Sequence, residues 1–200
     1  AGAEMQVDAE WTALVWASIL GHVEKVKNLV GAGADLNAKN KDGKTALMWA
    51  AQNGHVAVAQ FLVTAGAELN AKVTSGYQEG MTALMSAARY GHLETAQFLV
   101  TAGAELNAKN KYGKTALMWA AQEGHVETAQ FLLTAGAELE AKSDIDKTAL
   151  MFAAEEGHLA VAQFLVTAGA ELNAKATGWC TEGMTALMWA AKNGHLETAQ

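Results

Sequence analysis

The residues that could carry chemistry in this chain of 200 residues are six histidines, a single cysteine and a few motifs that contain lysine or glutamate. Every histidine follows a glycine, at His22, His55, His92, His125, His158 and His195. Four of them begin a His-x-Glu sequence, but residues two apart on a helix do not share a face, so they do not form a metal pair. A histidine that recurs with the same neighbours indicates an architectural role, and we expect neither a metal nor a cofactor.

Two Gly-Lys-Thr triplets, at Gly43 and Gly113, resemble the end of a phosphate-binding loop. That loop requires another glycine five positions earlier, where this chain has Ala38 and Ala108. The pair Glu155–Glu156 could act as a catalytic dyad, but no nucleophile, base and orienting group surround it in the sequence. We therefore interpret the pair as a solvated or partner-facing patch and predict that the chain is not an enzyme.

These motifs recur because the chain consists of copies of one segment, represented best by residues 110–142. A Thr-Ala-Leu triplet begins at Thr12, Thr45, Thr82, Thr115, Thr148 and Thr185, with spacings of 33, 37, 33, 33 and 37 residues. A period of this length is typical of stacked repeat architectures. The sequence thus predicts six units, numbered 1 to 6 below.

One unit can be read as a helix, a turn, a second helix and a projecting loop. Thr115 suits a helix N-cap, and Gly124 suits the left-handed end of the first helix. Val126, Ala129 and Leu132 then recur at helical spacing, until Gly136 ends the second helix. Because one unit cannot bury its apolar faces alone, we expect the units to stack into a solenoid.

The motif Gly-x-Thr-Ala-Leu-Met-Trp-Ala-Ala, followed by Gly-His and then Ala-Gly-Ala-Glu-Leu-Asn-Ala, resembles the ankyrin repeat. The resemblance implies an all-α solenoid of stacked helix-turn-helix units with projecting β-hairpin or loop fingers. The family usually has Thr-Pro-Leu-His where this chain has Thr-Ala-Leu-Met, and the chain contains no proline. We expect the recurring methionines to replace the family's histidine by apolar contact; they are Met48, Met85, Met118, Met151 and Met188.

We predict a single domain over residues 1–200, with units at 11–39, 40–72, 73–109, 110–142, 143–175 and 176–200. Unit 1 departs most from the common sequence and is interpreted as an N-terminal cap. Unit 6 stops midway through its second helix, as a partial cap or at an artificial boundary. Units 3 and 6 each carry four extra residues in their fingers, between Lys72 and Glu79 and between Lys175 and Glu182. These two fingers resemble one another, which indicates duplication of a block of three units.

Composition and charge limit the kinds of partner and the locations that we expect for the chain. A net charge of −7 argues against nucleic acid and favours a partner with a basic site. No apolar run is long enough for membrane insertion, and Cys180 alone cannot form an internal disulfide. A chain that begins at Ala1 fits signal-peptide removal, methionine excision or an artificial start, and we favour an exported or periplasmic location over a cytoplasmic one.

Positions that differ between copies are candidates for specific recognition, whereas positions that agree mark the scaffold. The resemblance places the variable positions on finger tips and on the concave face that holds partners. Exposed Tyr, Trp and Arg are also enriched in binding hot spots. The predicted protein-binding residues are Asp42, Asn53, Tyr77, Gln78, Arg89, Tyr90, Tyr112, Glu123, Ile145, Asp146, Glu155, Glu156, Trp179, Cys180, Lys192 and Asn193. The aromatic residues at the position of Trp119 are interpreted as core.

The resulting hypothesis is a protein-binding module, monomeric when free, that clamps one partner protein with its fingers and concave face. A sharper version is an inhibitor or immunity protein of an enzyme, since similar bacterial ankyrin proteins restrain cell-wall-cleaving enzymes. An engineered ankyrin binder is the alternative suggested by the near-identical copies, and neutral drift between copies is the alternative for the variable residues. An enzyme would need an added catalytic segment, which is not seen in the sequence.

Overall fold

The computed structural model of the protein describes residues 12–178 and 182–199. Within these ranges the regular secondary structure consists of twelve α-helices in six consecutive pairs, and no β-strand is present. The first helices of the pairs are α1 (Ala13–Ile19), α3 (Ala46–Gln52), α5 (Ala83–Arg89), α7 (Ala116–Gln122), α9 (Ala149–Glu156) and α11 (Ala186–Lys192). The second helices are α2 (Val23–Gly31), α4 (Val56–Thr64), α6 (Leu93–Thr101), α8 (Val126–Thr134), α10 (Leu159–Thr167) and α12 (Leu196–Ala199).

The threonine of the Thr-Ala-Leu triplet is the N-cap of each first helix. In α7 the Thr115 hydroxyl accepts a hydrogen bond from the backbone N–H of Met118, which satisfies one of the donors that a helix start leaves unpaired. The helix is short because Gly124 follows its C-cap in a left-handed conformation, with φ of 79°. Thr115 and Gly124 therefore have the roles predicted for them.

Each second helix starts after the histidine and buries one narrow face. In α8, Thr128, Ala129 and Leu132 are buried, and Val126 and Leu133 are half-buried. The chain leaves this helix through Gly136, which also has a positive φ. Both helices of a unit are thus bounded by local signals that the sequence displays.

The helix pairs stack side by side, as a solenoid requires. First helices pack on the first helices of adjacent pairs, so that α7 lies between α5 and α9, and second helices do the same less extensively. The core between them is rich in alanine, leucine and methionine. Met48, Met85, Met118 and Met151 are buried as expected, but Met188 in α11 is about half exposed, since no further helix pair covers it in the part of the chain that is described.

The Gly-His pairs join neighbouring units. The Nε2–H of His125 donates to the carbonyl oxygen of Arg89 at 3.0 Å, one unit earlier, and its ring lies against Gly91. A Cβ atom at Gly91 would lie 2.5 Å from Nδ1 of that ring, so only glycine fits there. The same bond to the preceding unit is made by His55, His92, His158 and His195. These histidines are architectural, as their repetition indicated.

The fingers are loops held by backbone hydrogen bonds. The long finger of unit 3 is tied to the finger before it through Thr74 N–H and Ser75 N–H, which both donate to the Asp42 carbonyl. It is tied to the next finger through Lys111, whose ammonium donates to the Gly76 carbonyl at 2.6 Å. Neighbouring fingers therefore form one continuous edge over the described part of the chain. No helix within that part is long and apolar enough to cross a membrane.

Candidate functional site

The predicted binding residues that the structure describes are all at least partly accessible. Tyr77, Tyr90, Tyr112 and Ile145 retain 64%, 42%, 37% and 40% of their surface, which is unusual for side chains of this size and polarity. The other exposed members are Asn53, Glu156, Lys192 and Asn193, and the half-buried ones are Asp42, Gln78, Arg89, Glu123, Asp146 and Glu155. The predicted anchors Trp179 and Cys180 lie outside the described residues.

Three of the exposed side chains come together along the finger edge. The rings of Tyr77 and Tyr112 lie 5.7 Å apart between centroids at an angle of 47°, which joins the tip of unit 3 to that of unit 4. Tyr77, Tyr112 and Ile145 line one cleft of about 330 Å³, which we call the central cleft. The sequence placed these residues on separate fingers and did not predict that they would share a site.

The rest of the central cleft is formed by the inner surface of units 4 and 5. Phe152 contributes an aromatic ring, and Lys114, Lys147 and Glu155 contribute charged groups. Both lysines immediately precede the N-cap threonine of a first helix, so the local fold directs them to the same surface. The cleft thus combines apolar walls with a polar floor, as binding pockets for side chains commonly do.

A row of alternating cations and aromatic rings runs beneath the fingers, and sequence reasoning missed it. The Lys114 ammonium lies 4.4 Å from the Trp119 ring centroid and 4.2 Å from that of Phe152 in the next unit. Lys147 similarly lies between Phe152 and Trp189, at 5.3 and 3.4 Å. Such cation–π contacts are favourable when the cation is partly desolvated.

A signal for this row is present in the sequence. Lysine stands five residues before the aromatic residue in units 2, 4 and 5, at Lys44–Trp49, Lys114–Trp119 and Lys147–Phe152. Reading the aromatic residues as core was correct for Trp119, Phe152 and Trp189, which are buried, and Trp49 is half-buried. The contacts within a unit follow from this spacing, whereas the contacts of Lys114 with Phe152 and of Lys147 with Trp189 depend on the stacking of neighbouring units; neither kind was predicted.

The cations of this row differ in their counterions. Lys147 forms an ion pair with Glu155 at 2.7 Å, and Arg89 lies 3.4 Å from Glu123. Lys114 donates instead to the neutral side chain of Gln122. The interpretation of Glu155–Glu156 as a solvated or partner-facing patch stays a prediction: the Glu155 carboxylate is half-buried and paired with Lys147, whereas Glu156 is exposed.

Burial weakens the proton affinity of these lysines. It lowers the pKa of Lys114 to about 8, with a further decrease from the charge of Lys147. Burial also lowers the pKa of Lys44, where Asp42 opposes the effect, and that of Lys147, where the bond to Glu155 opposes it. The charged form of Lys114 is therefore held at a free-energy cost inside the cleft.

A second, smaller cleft of about 210 Å³ lies on the N-terminal side of Tyr77. It brings together Asp42, Gln78, Lys44 and Trp49, and Tyr77 forms part of its wall as well. Tyr77 therefore lines both clefts. Among the predicted residues, Asp42, Tyr77 and Gln78 meet here.

Other predicted residues do not line either cleft, and some of them make contacts within the protein that give them a structural role. Asn53 donates to the Trp49 carbonyl at the end of its helix, and Asn193 donates to the Glu155 carbonyl at 2.7 Å. Asp146 has a φ of 56°, at the turn position where units 2 and 4 have glycine, and accepts a hydrogen bond from the Thr177 hydroxyl. Arg89 lies over both the Tyr90 and Trp119 rings.

The described residues contain no group of three or more His, Cys, Asp or Glu side chains with the arrangement of a metal site. A family model described as ankyrin repeats (3 copies) matches residues 1–73, 70–143 and 138–200. The comparison with curated proteins found no match.

Proposed function

Because the chain belongs to the ankyrin repeat family, whose repeats are generally protein–protein interaction modules, we propose that it binds one partner protein through its finger edge and the adjoining inner face. Most members of this family are non-catalytic scaffolds. The proposed contact set is the group of variable residues predicted from the sequence, with the central cleft as its middle.

The observation that supports this proposal most is the joint exposure of Tyr77, Tyr112 and Ile145 around one cleft. Large side chains gain little free energy from a solvated loop, whereas burial against a partner removes their apolar surface from water. Tyrosine also contributes a hydroxyl and little conformational entropy loss, which suits an interface anchor. The finger edge thus offers the features of a binding hot spot.

The two long fingers extend the proposal to a second anchor point. Units 3 and 6 carry the same four-residue lengthening, with Tyr77 in the first and Trp179 in the second. Three stacked units at about 10 Å each would separate these fingers by roughly 30 Å. We therefore propose a grip at two points on one partner.

The test begins with identification of the partner by pull-down from a native lysate and mass spectrometry. The dissociation constant is then measured for the parent, for Tyr77→Ala and for Gln97→Ala, a control on the exposed surface of α6. We expect Tyr77→Ala to weaken binding at least about tenfold, the order expected for an anchor residue, and Gln97→Ala to leave it unchanged.

Thermal unfolding separates a binding effect from a folding effect. Since Tyr77 is mostly exposed, its truncation should change the free energy of unfolding by less than about 1 kcal/mol. If Tyr77→Ala and Tyr112→Ala both bind the partner as the parent does, the finger edge is not the interface.

A narrower form of the proposal is that the partner is an enzyme, such as a cell-wall hydrolase, and that binding covers its active site. Support comes from the net charge of −7, which favours association with a basic cleft, and from fingers long enough to enter one. Stoichiometric titration of the chain into the captured enzyme, with turnover as the readout, tests this. Binding without loss of turnover would indicate a tether and exclude the inhibitor role.

A further inference from the structure

We propose that the central cleft is a receptor site for an acidic side chain of the partner, whose carboxylate pairs with the ammonium group of Lys114 while an adjacent apolar residue packs on Tyr77, Tyr112 and Ile145. This inference rests on the proposed protein-binding function and specifies the chemistry that the partner must present.

The main argument is a difference between two copies of the same site. Eight residues after the lysine, unit 5 has Glu155 and unit 4 has Gln122. Glu155 pairs with Lys147 at 2.7 Å, which shows that a carboxylate at this position reaches the ammonium group. Gln122 makes the corresponding hydrogen bond to Lys114 but brings no negative charge. Unit 5 therefore supplies its own counterion, and unit 4 does not.

The surroundings of Lys114 do not compensate for this difference. Among the described residues, no carboxylate oxygen lies within 4 Å of its ammonium group, which is flanked by the rings of Trp119 and Phe152. Its burial and the nearby charge of Lys147 lower its pKa to about 8, and the opposing charges of Glu155 and Glu123 do not restore it. A cation held in this way gains more from an incoming carboxylate than a solvated lysine does, because charge-assisted hydrogen bonds are stronger where water is excluded.

The acidic residues near the cleft leave the ammonium group accessible to a partner. Glu155 is engaged by Lys147, and Asp144 is exposed in the finger of unit 5, with its backbone N–H bonded to the Tyr112 carbonyl. Glu123 lies beside Arg89. Each nearby carboxylate therefore either has its own cation or faces solvent.

The smaller cleft provides an internal comparison. Lys44 also donates to a glutamine, Gln52, at 3.1 Å, but Asp42 lines the same cleft and its charge opposes the decrease in the pKa of Lys44. Glu155 likewise lines the central cleft and opposes the decrease in the pKa of Lys114, but its carboxylate is paired with Lys147. Asp42 forms no ion pair with a described lysine or arginine, so a carboxylate entering the smaller cleft would be repelled by a charge that is not neutralised. The central cleft is thus the favoured position for an acidic side chain.

The walls of the central cleft indicate what stands next to the acid. Tyr77, Tyr112 and Ile145 present exposed apolar surface above the polar floor. A volume of about 330 Å³ suits two side chains rather than a long segment. The partner motif is therefore an aspartate or glutamate with an aromatic or aliphatic neighbour.

The test uses two dipeptide probes that differ only in charge, acetyl-Phe-Glu-amide and acetyl-Phe-Gln-amide. The chain contains two isoleucines, Ile145 in the central cleft and Ile19 at the end of α1. Selective carbon-13 labelling of isoleucine methyl groups therefore gives one reporter inside the site and one internal control. At neutral pH we expect Ile145 alone to shift, with the Glu peptide binding at least about fivefold more tightly than the Gln peptide.

Three variants assign that preference to Lys114. Lys114→Met removes the ammonium group, and Gln122→Glu retains it but supplies an internal carboxylate as in unit 5. In both variants the Glu and Gln peptides should bind with about equal affinity. Lys44→Met, in the other cleft, should leave it intact. The Gln122→Glu variant keeps the test decisive even if Lys114→Met folds poorly.

Equal binding of the two peptides by the parent, or no shift of Ile145 with either, would overturn the acidic-residue site. So would an undiminished preference in Gln122→Glu. None of these results bears on the partner-binding proposal, which is judged by the effect of Tyr77→Ala on the captured partner. Failure of the acidic-residue site can therefore be distinguished from failure of the partner-binding proposal.

Discussion

Lys114 and Lys147 occupy the same position in successive units, yet they have different electrostatic surroundings. Lys147 faces the carboxylate of Glu155, whereas Lys114 faces the amide of Gln122. The side chain at this position decides whether a partly buried cation is neutralised within the chain. Specificity can thus be encoded by one side chain on an invariant scaffold.

The first prediction concerns the pH dependence of stability that Lys114 contributes. Its pKa is lowered to about 8 in the folded chain, against about 10.4 for an unfolded lysine. Between these values the unfolded state holds a proton that the folded state has released, so raising the pH favours folding. The free energy of unfolding of the parent should therefore rise relative to that of Lys114→Met between about pH 8 and pH 10.

Guanidinium unfolding of both chains across this range measures the difference. Lys44 and Lys147 are present in both, so their contributions largely cancel. Below about pH 8 the difference should be independent of pH, because the folded and unfolded states then both hold the proton. A difference that stays constant up to pH 10 would show that Lys114 has an ordinary lysine pKa, and one that falls would show that folding raises its pKa.

The helix ends carry two kinds of constraint at the scale of the element. Glycines at the ends of first and second helices both adopt positive φ, but a histidine ring of the next unit lies only against those that end the first helices of units 1 to 5. The positive φ is a local constraint, and the contact with the histidine ring is a tertiary one. The chain offers a matched pair, Gly124 and Gly103, with which to separate them.

The second prediction compares alanine at these two glycines. Gly103 has a φ of 96° and open space around it, so Gly103→Ala should cost about 1 kcal/mol for the left-handed conformation alone. At Gly124, with a φ of 79°, the added Cβ would also lie 2.6 Å from Nδ1 of His158. Displacement of that ring weakens its 2.9 Å bond to the Gln122 carbonyl, which raises the expected cost to about 2–4 kcal/mol.

Chemical denaturation of the two variants gives the comparison directly. Similar losses in the free energy of unfolding would show that the histidine ring gives way without cost and that only backbone conformation matters. A second expectation is that His158→Ala relieves part of the penalty at Gly124, because the two changes share one contact.

At the scale of the whole molecule, stability depends on neighbours along one axis. Each inner first helix packs between the first helices of the adjacent pairs, whereas α1 and α11 each pack on a single first helix among the described residues. At the described C-terminal end of the stack, burial accordingly differs from that in the middle. Leu117 in α7 is 1% exposed, whereas Leu187 at the same position of α11 is 58% exposed.

The third prediction uses this pair of leucines, which share a sequence motif and differ in position. Leu117→Ala should lower the free energy of unfolding by about 2–5 kcal/mol, as expected for a cavity in a packed core. Leu187→Ala should lower it by less than about 1 kcal/mol, because little buried surface is lost. Denaturation monitored by circular dichroism measures both, and equal effects would contradict nearest-neighbour stacking as the source of the difference.

The amino-acid sequence by itself determined the family, the helix pairs and their ends. The N-cap at Thr115 and the left-handed turn at Gly124 depend on interactions within a few residues, which repeat identically in every copy. The structural role of the histidines could likewise be inferred, since a residue needed at each junction must recur at each junction. Local chemistry and periodicity were sufficient for these features.

Tertiary structure alone decided which variable residues share a site. Tyr77 meets Tyr112, and Lys114 meets Phe152, across 35 and 38 positions of sequence, at distances set by the register in which neighbouring units stack. The same stacking leaves Met188 partly exposed at the described end. These outcomes depend on the relative placement of whole helix pairs, and no local pattern in the sequence specifies the distance between side chains on different units.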